Sequence, residues 1–408
     1  MKKKATFFAS IGILLSLFLF QYKTNSFAQT NKTSPKQAAI WQGKMRELYK
    51  ILIEVATDTS SDEKFNSPKN QSRILNNAKK LSELSHDISD DSVSPDADPT
   101  VKMISGMFQG DANRAYWALK TGNRAYARGI LNQVSGYCIQ CHTRNNSGPN
   151  FSKMPLNPST AKLPLIEQGR FFAATRQYDK AFDIFLKIAD DPSSPIQKPL
   201  EWERALRYGL SIAIRVKNDP DQAQALIERI LGAKKAPYFF KQDALQWKRT
   251  VQQWKSEIPK RALTEEGLYL EAVQLISQAR DLQKYPMDHA ADVGYLRATS
   301  VIHELLQKYP DGHHAQDTLL LAGIAYEVLR PITIDNIHET YYEACIRKTP
   351  HTSIAENCYK RYEQSTYEGF TGSSGTHLPG DIIKKLHELE NLALPQQNSK
   401  EETNLSLK

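Results

Sequence analysis

The stretch RAYARGILNQVSGYCIQCH, Arg124 to His142, combines the spacing of a helix with a compact group of reactive side chains. Its apolar residues recur at steps of three and four, the period of an α-helix with one buried face. These residues are Ala127, Ile130, Leu131, Val134, Tyr137 and Cys141. Asn123, directly before the stretch, is a favoured helix N-cap. The predicted helix ends on two cysteines separated by two residues, with a histidine directly after the second.

Three upstream segments have the same helical character. A Ser-Pro or Asp-Pro pair, an N-cap before a proline at the first helical position, begins each of them at 34–35, 67–68 and 98–99. The four predicted helices cover residues 35–57, 68–89, 99–121 and 124–142. Each has about 20 residues and a length of about 30 Å. Their similar lengths and mostly short connections favour an antiparallel four-helix bundle over residues 34–150.

The chain after this segment is also predicted to be helical. Residues 151–164 are rich in Pro and read as a linker. The next stretch, EQGRFFAATRQYDKAFDIFLKIADDP, resembles the small and large residue pattern of a tetratricopeptide repeat. The matching positions are Gly169, Phe172, Tyr178, Ala181, Phe185 and Pro192. Later copies are looser, so residues 165–390 are expected to form an irregular TPR-like helical-repeat domain, with a non-repeating helical domain as the alternative.

Residues 391–408 are polar and are predicted to be a disordered tail. No convincing run of alternating apolar and polar residues indicates a β-strand. The predicted fold class is therefore all-α.

The first 28 residues predict export. A basic start, Lys2 to Lys4, precedes the apolar run FFASIGILLSLFLF and a small-x-small site that ends at Ala28. This is the pattern of a secretory signal peptide, although an uncleaved anchor remains an alternative. Its removal takes away four lysines and no acid, which lowers the formal net charge from +8 to +4. A mildly basic periplasmic protein is expected, without an argument for nucleic-acid binding or for a later membrane span.

The sequence CIQCH at 138–142 is the attachment signature of a c-type haem. Thiols at i and i+3 lie on one helical face, so Cys138 and Cys141 can form thioethers with the two vinyl groups of one haem. His142 is then carried beneath the iron as its proximal ligand. A zinc site would want a second Cys or His pair at ligand spacing. A thioredoxin-like redox pair would want a preceding strand, so one covalent haem c is the expected cofactor.

A haem motif that closes the fourth helix of a bundle resembles the cytochrome c′ family. The resemblance covers about residues 34–150; its specific part is CIQCH, and the rest is the number and placement of the helices. It implies that Cys138 and Cys141 bind haem and that His142 is the proximal iron ligand. In methionine-ligated members of that family, helix one supplies the sixth ligand, while in cytochrome c′ itself the site is vacant and admits small gases.

The sixth iron ligand is predicted to be Met45, with a vacant site as the next alternative. Met45 lies on the apolar stripe of helix one, at the bundle end where the fourth helix stops. His86, the alternative ligand, lies two residues from both Leu84 and Ile88 and therefore points away from the apolar face of its helix. Met107 is expected to be core packing. Other methionines near the motif are Met103 and Met154.

The second pair of cysteines, Cys345 and Cys358, flanks a turn at Pro350. Two antiparallel helices joined there would bring the thiols together, and an exported chain permits disulfides. A disulfide between them is therefore expected.

Three functions compete at this level. The leading one is an exported electron carrier whose repeat domain docks a redox partner protein through a concave helical surface. The alternative is a haem-based sensor or interaction module that binds NO or CO. An enzyme such as a peroxidase would need an open distal face with a general base, and only the off-stripe His86 could serve. No enzymatic activity is therefore expected, although a peroxidase-type activity stays open.

Overall fold

A computed structural model describes residues 35–89, 99–144, 151–152, 157–257, 264–286, 288–330 and 336–395. The predicted signal peptide, most of the predicted tail and Met154 lie outside these residues. The described part of the chain is helical apart from turns and one minimal β-hairpin, which confirms the all-α prediction. All described residues belong to one compact unit.

The helices follow one another in the order α1 (Pro35–Thr59), α2 (Asp62–Asn66), α3 (Gln71–Ser89), α4 (Pro99–Lys120), α5 (Arg124–His142), α6 (Leu165–Ala174), α7 (Tyr178–Asp190), α8 (Ser194–Gln197), α9 (Pro199–Ser211), α10 (Pro220–Gly232), α11 (Tyr238–Ser256), α12 (Glu265–Leu282), α13 (Asp292–Lys308), α14 (Ala315–Val328), α15 (Ile337–Lys348), α16 (Ser353–Gly369) and α17 (Gly380–Ala393). Short 3-10 turns lie at Pro68–Asn70, Thr160–Lys162 and His289–Ala291, and a π-helical turn at Ile212–Val216 extends α9.

The four long helices predicted from the N-terminal sequence are present. α4 and α5 begin at the predicted residues, and the Asn123 side chain caps α5 by accepting a hydrogen bond from the Tyr126 amide at 3.4 Å. α3 is preceded by a 3-10 turn that starts at the predicted Pro68. The short α2, capped by Ser61, was not predicted. Local cap and proline chemistry therefore locates these helix starts well.

These four long helices contact one another in a closed order: α1 touches α3 and α5, α3 touches α4, and α4 touches α5. Fully buried alanines face the shared interior from three of them, at Ala78, Ala112, Ala115 and Ala127. Small side chains let neighbouring helices approach closely, while larger ones such as Ile53 and Ile104 fill the space between them.

Helices after residue 164 pair mostly with their neighbours in sequence, as α6 with α7, α10 with α11, α12 with α13 and α14 with α15. In the first pair, Gly169 packs against the ring of Phe185; a Cβ at Gly169 would lie 2.3 Å from Phe185 Cε1. Both residues belong to the small and large pattern identified in the sequence. Glycine is needed here because no side chain fits between the two helices.

The N-terminal helices also contact helices far along the chain. α6 touches α5 and α1, and α15 touches α4. At the second contact, the Thr340 hydroxyl donates a hydrogen bond to Met107 Sδ at 3.2 Å. The two predicted halves therefore share contacts on both sides of residues 151–164.

The C-terminal region contains the second cysteine pair. Cys345 on α15 and Cys358 on α16 are both fully buried and are joined by a disulfide. A two-strand hairpin pairs Thr371–Gly372 with Gly375–Thr376, and Gly375 has φ +102°, which favours glycine. α17 continues to Ala393, so residues 391–393, assigned to the tail from the sequence, are helical.

Candidate cofactor site

One cavity brings together three of the predicted site residues: Met45 from α1, and Cys138 and His142 from α5. Only about 30 Å³ of its interior can take the centre of a water molecule, so its walls lie close together. The remaining lining residues are Leu48, Tyr49, Leu52, Leu81, Phe108, Val134, Phe151, Ala174 and Thr175. The lining is mostly apolar, which is typical of pockets that bind cofactors.

The imidazole of His142 is held in one tautomer. Its Nδ1 lies 2.5 Å from the Ala174 carbonyl oxygen, which can only accept, so Nδ1 carries the proton and Nε2 the lone pair. Metal-binding histidines commonly use one ring nitrogen for such a bond and the other for the metal. The residue is only partly buried by area, yet protein atoms surround its ring. That burial, with a smaller effect of the Arg176 charge, lowers the pKa of His142 to about 3, which keeps the ring neutral.

The backbone of His142 is held as well. The Tyr178 hydroxyl, at the start of α7, donates a hydrogen bond to the His142 carbonyl oxygen. Ala174 ends α6, so the corner between α6 and α7 fixes both the ring and the main chain of the histidine. Part of the site is therefore built by the region beyond the predicted linker.

The two motif cysteines differ in their surroundings. Cys138 lines the cavity, whereas Cys141 is partly buried against the core and is not among the lining residues. The pair is not joined by a disulfide. Burial raises the pKa of the Cys138 thiol to about 12, and the neighbouring Cys141 contributes in the same direction. Without a positive partner or a metal, this thiol stays protonated at neutral pH.

The candidates for a sixth ligand occupy different places. Met45 lines the cavity that His142 also lines. His86 is exposed, lines a separate cleft between α3 and α4, and accepts a hydrogen bond at Nδ1 from Gln109 Nε2 at 2.6 Å. Met107 contacts Thr340 of α15 instead. The expectation that His86 points away from the apolar face of its helix agrees with its exposure.

Tyr49 was not predicted to belong to the site. It follows Met45 by one helical turn, so the sequence did contain the signal that both residues share a face. The Tyr49 hydroxyl is buried, and no described group meets it at both hydrogen-bonding distance and angle. Gln177 lies beside it and opposes the rise in its pKa, while the Gln177 amide donates to Thr175 and accepts from Lys180. Burial raises the pKa of Tyr49.

Phe151, Ala174 and Thr175 were also missed as lining residues. Phe151 stacks on the Tyr49 ring with centroids 5.2 Å apart and closes one wall of the cavity. These residues come from outside the four predicted helices, and only the folded chain brings them to the site.

The residues present are chemically suited to a covalent haem. A thiol, an imidazole with a defined lone pair, a thioether and an unpartnered hydroxyl all border one mainly apolar cavity. Among the described residues, no group of three or more His, Cys, Asp or Glu side chains could hold a metal ion. Haem iron takes only its axial ligands from protein, so a haem site does not need such a group.

Comparisons with models of known protein families, with curated proteins and with solved structures found no match to this chain. Within the described ranges, no helix is both long enough and apolar enough to cross a membrane.

Proposed function

We propose that this chain is an exported, periplasmic c-type cytochrome that binds one haem and transfers electrons. The proposal depends mainly on one observation: His142, Cys138 and Met45, selected from the sequence, border the same cavity. Further support comes from the closed contact order of α1, α3, α4 and α5, which suits a four-helix haem bundle over residues 34–150.

Cys138 and Cys141 would hold the haem through thioethers, His142 would bind the iron through Nε2, and Met45 would provide the sixth ligand. The bound group would supply a one-electron Fe(III)/Fe(II) couple. The Ala174 carbonyl orients His142 and makes its Nε2 a better donor through the hydrogen bond at Nδ1. The apolar walls exclude water, and a Met45 thioether would favour the reduced state relative to a second histidine.

The helices beyond residue 164 would form the TPR-like domain that docks a redox partner protein. Their sequential pairing and the Gly169–Phe185 contact support a repeat-like arrangement. No nucleic-acid partner is proposed, because the mature chain is only mildly basic.

A haem-based NO or CO sensor is the second candidate, and Tyr49 is the observation that favours it. A buried hydroxyl without a partner, one turn from Met45 and on the same cavity, could donate a hydrogen bond to a gas bound in place of the methionine. The two functions differ in whether the sulfur of Met45 binds the iron as its sixth ligand or leaves that position open to a gas.

The test uses the purified, exported protein. Acidified acetone should leave the haem on the polypeptide, and extraction of the haem would contradict the covalent attachment. The ferric protein should be low-spin, with the weak red charge-transfer band of a Met–Fe(III) bond.

Met45→Ala should abolish that band and open the iron to CO. Met103→Ala is the matched control, because Met103 packs against the core from α4 but does not line the cavity. A high-spin wild-type protein that binds CO or NO at once would favour the sensor. A low-spin protein without the Met band would favour His86.

A further inference from the structure

Among the residues that the structure describes, a buried arginine beside the candidate haem ligand has no anionic partner. Arg215 is 3% exposed and lies in the π-helical turn. Its Nη2 donates to Thr143 Oγ1 at 2.6 Å and its Nη1 donates to the Tyr326 hydroxyl at 2.8 Å, and both acceptors are neutral. The Nε atom is buried without a hydrogen-bond partner.

Burial of a cation without a counter-ion is unfavourable, so the surroundings must compensate for part of its cost. Thr143 caps the C-terminus of α5, where the helix dipole is negative and favours a positive charge. The Tyr326 hydroxyl is in turn 2.7 Å from His303 Nε2. These groups hold the guanidinium in place, but they do not neutralise its charge.

The guanidinium lies close to the iron ligand predicted from the sequence. Thr143, which accepts its hydrogen bond, directly follows His142. Tyr178, which donates to the His142 carbonyl, also responds to this charge: burial raises the pKa of Tyr178 to about 12, and Arg176 and Arg215 oppose that rise. The positive field of Arg215 therefore extends to Tyr178, one of the groups that fix His142, while the charge that acts on the pKa of His142 itself is that of Arg176.

We propose that Arg215 supplies a fixed positive charge that raises the reduction potential of the iron bound by His142. This inference depends on the proposed haem function. Reduction lowers the charge of the iron centre by one unit, so a nearby cation stabilises Fe(II) over Fe(III). The effect is strong for a charge held in the interior, where the dielectric constant is low and salt screens little.

The test compares Arg215→Met, which removes the charge, with Arg215→Lys, which keeps it. At a fixed applied potential, Arg215→Met should raise the Fe(III)/Fe(II) ratio about tenfold, which corresponds to about 59 mV for one electron. Arg215→Lys should retain most of the wild-type potential. Arg229→Met is the control, because Arg229 is paired with Asp190 at 2.9 Å and is distant in sequence from the candidate ligand. Spectroelectrochemical titration gives the potentials.

An unchanged potential in a folded Arg215→Met protein with the wild-type haem spectrum would overturn the inference. Arg215→Gln repeats the test with a side chain that can still donate to Thr143 and Tyr326. If both neutral variants fail to fold while Arg215→Lys folds, the charge is a structural requirement and the tuning role is rejected. A wild-type protein without covalent haem would instead refute the proposed function.

Discussion

The two cysteine pairs of this chain have the same chemistry available but are placed differently. Cys138 and Cys141 lie on a single helix, whereas Cys345 and Cys358 lie on two consecutive helices, α15 and α16. Side chains at i and i+3 of one helix share a face and point to the same neighbours. Side chains on two facing helices point towards each other. The second pair is accordingly a disulfide, and the first is not.

The surroundings of the two pairs increase this difference. Both members of the C-terminal pair are fully buried, and Gln316 donates a hydrogen bond to the Cys345 carbonyl. Cys138 lines a cavity together with His142 and Met45. A thiol that faces a cavity can react with a molecule inside it, whereas a pair joined in the core stabilises the fold. We therefore expect the two pairs to have separate roles, so that changes to one leave the other intact.

The largest effect is expected for haem content. Cys138→Ser should give exported protein with depleted haem, because one of the two thioethers cannot form and the remaining haem is held by Cys141 alone. The measurement is the haem-to-protein ratio after extraction, from the reduced pyridine spectrum.

The control for this substitution is the other pair. Cys345→Ala/Cys358→Ala should leave the haem content of folded protein at the wild-type level. Full haem content in the Cys138→Ser variant, or loss of haem from the Cys345→Ala/Cys358→Ala control, would contradict the separate roles of the two pairs.

The next effect concerns thiol reactivity in chain expressed without residues 1–28 and without haem. Burial raises the pKa of Cys138 from 9.0 to about 12, so its thiolate fraction at pH 8 should fall roughly a thousandfold. In a Cys141→Ser background, iodoacetamide should therefore modify the folded protein far more slowly than the urea-unfolded protein. Mass spectrometry measures both rates, and equal rates would mean that the thiol is accessible and ionised.

The disulfide should contribute a smaller, but measurable, amount of stability. Its cysteines are 13 residues apart, and a loop of this size contributes about 3 kcal/mol in the chain-entropy model. Cys345→Ala/Cys358→Ala should lower the free energy of unfolding by about that amount in urea titrations. Cys141→Ala in the haem-free chain is the matched control, with an expected loss of less than half as much because Cys141 is only partly buried. Equal losses would remove the assigned structural role.

Local chemistry explains which parts of the fold were predictable. The starts of α4 and α5 follow from Pro99 and the Asn123 cap, and the positions of Met45 and His142 follow from helical spacing. The disulfide between Cys345 and Cys358 was predicted as well, because two cysteines that flank a turn between antiparallel helices are brought together.

Long-range packing explains what was missed. Ala174 and Tyr178, which hold His142, are 32 and 36 residues away in sequence. Arg215 is 72 residues from Thr143. A cation inside the apolar run IAIRV was a local sign that Arg215 is unusual, but no local pattern reveals its partner.

Two histidines repeat the contrast between the cysteine pairs. His142 faces the cavity, and its Nε2 lone pair has no hydrogen-bond partner among the described residues. His338 on α15 is fully buried, and Arg330 donates to its Nε2 at 3.1 Å. Its Nε2 also lies 2.6 Å from Ser365 Oγ. The Nε2 atom of His338 is thus engaged within the protein, as the thiols of the C-terminal pair are.

The last prediction concerns the pH dependence that His338 contributes to stability. Burial, with a smaller effect of the Arg330 charge, lowers the pKa of His338 from 6.5 to about 3, so the folded state keeps the ring neutral. Above pH 6.5 the ring is neutral in the folded and the unfolded chain, and the stabilisation of the folded state by His338 is fully present. Below that pH only the unfolded chain takes up the proton, and the contribution falls by about 1.4 kcal/mol per pH unit until pH 3.

His338→Gln should therefore unfold with a weaker pH dependence than wild type between pH 6 and pH 4. His387→Gln is the control for loss of a histidine at an exposed position. Parallel slopes for wild type and His338→Gln would mean that His338 is protonated in the folded state, and the contrast between the two histidines would then fail.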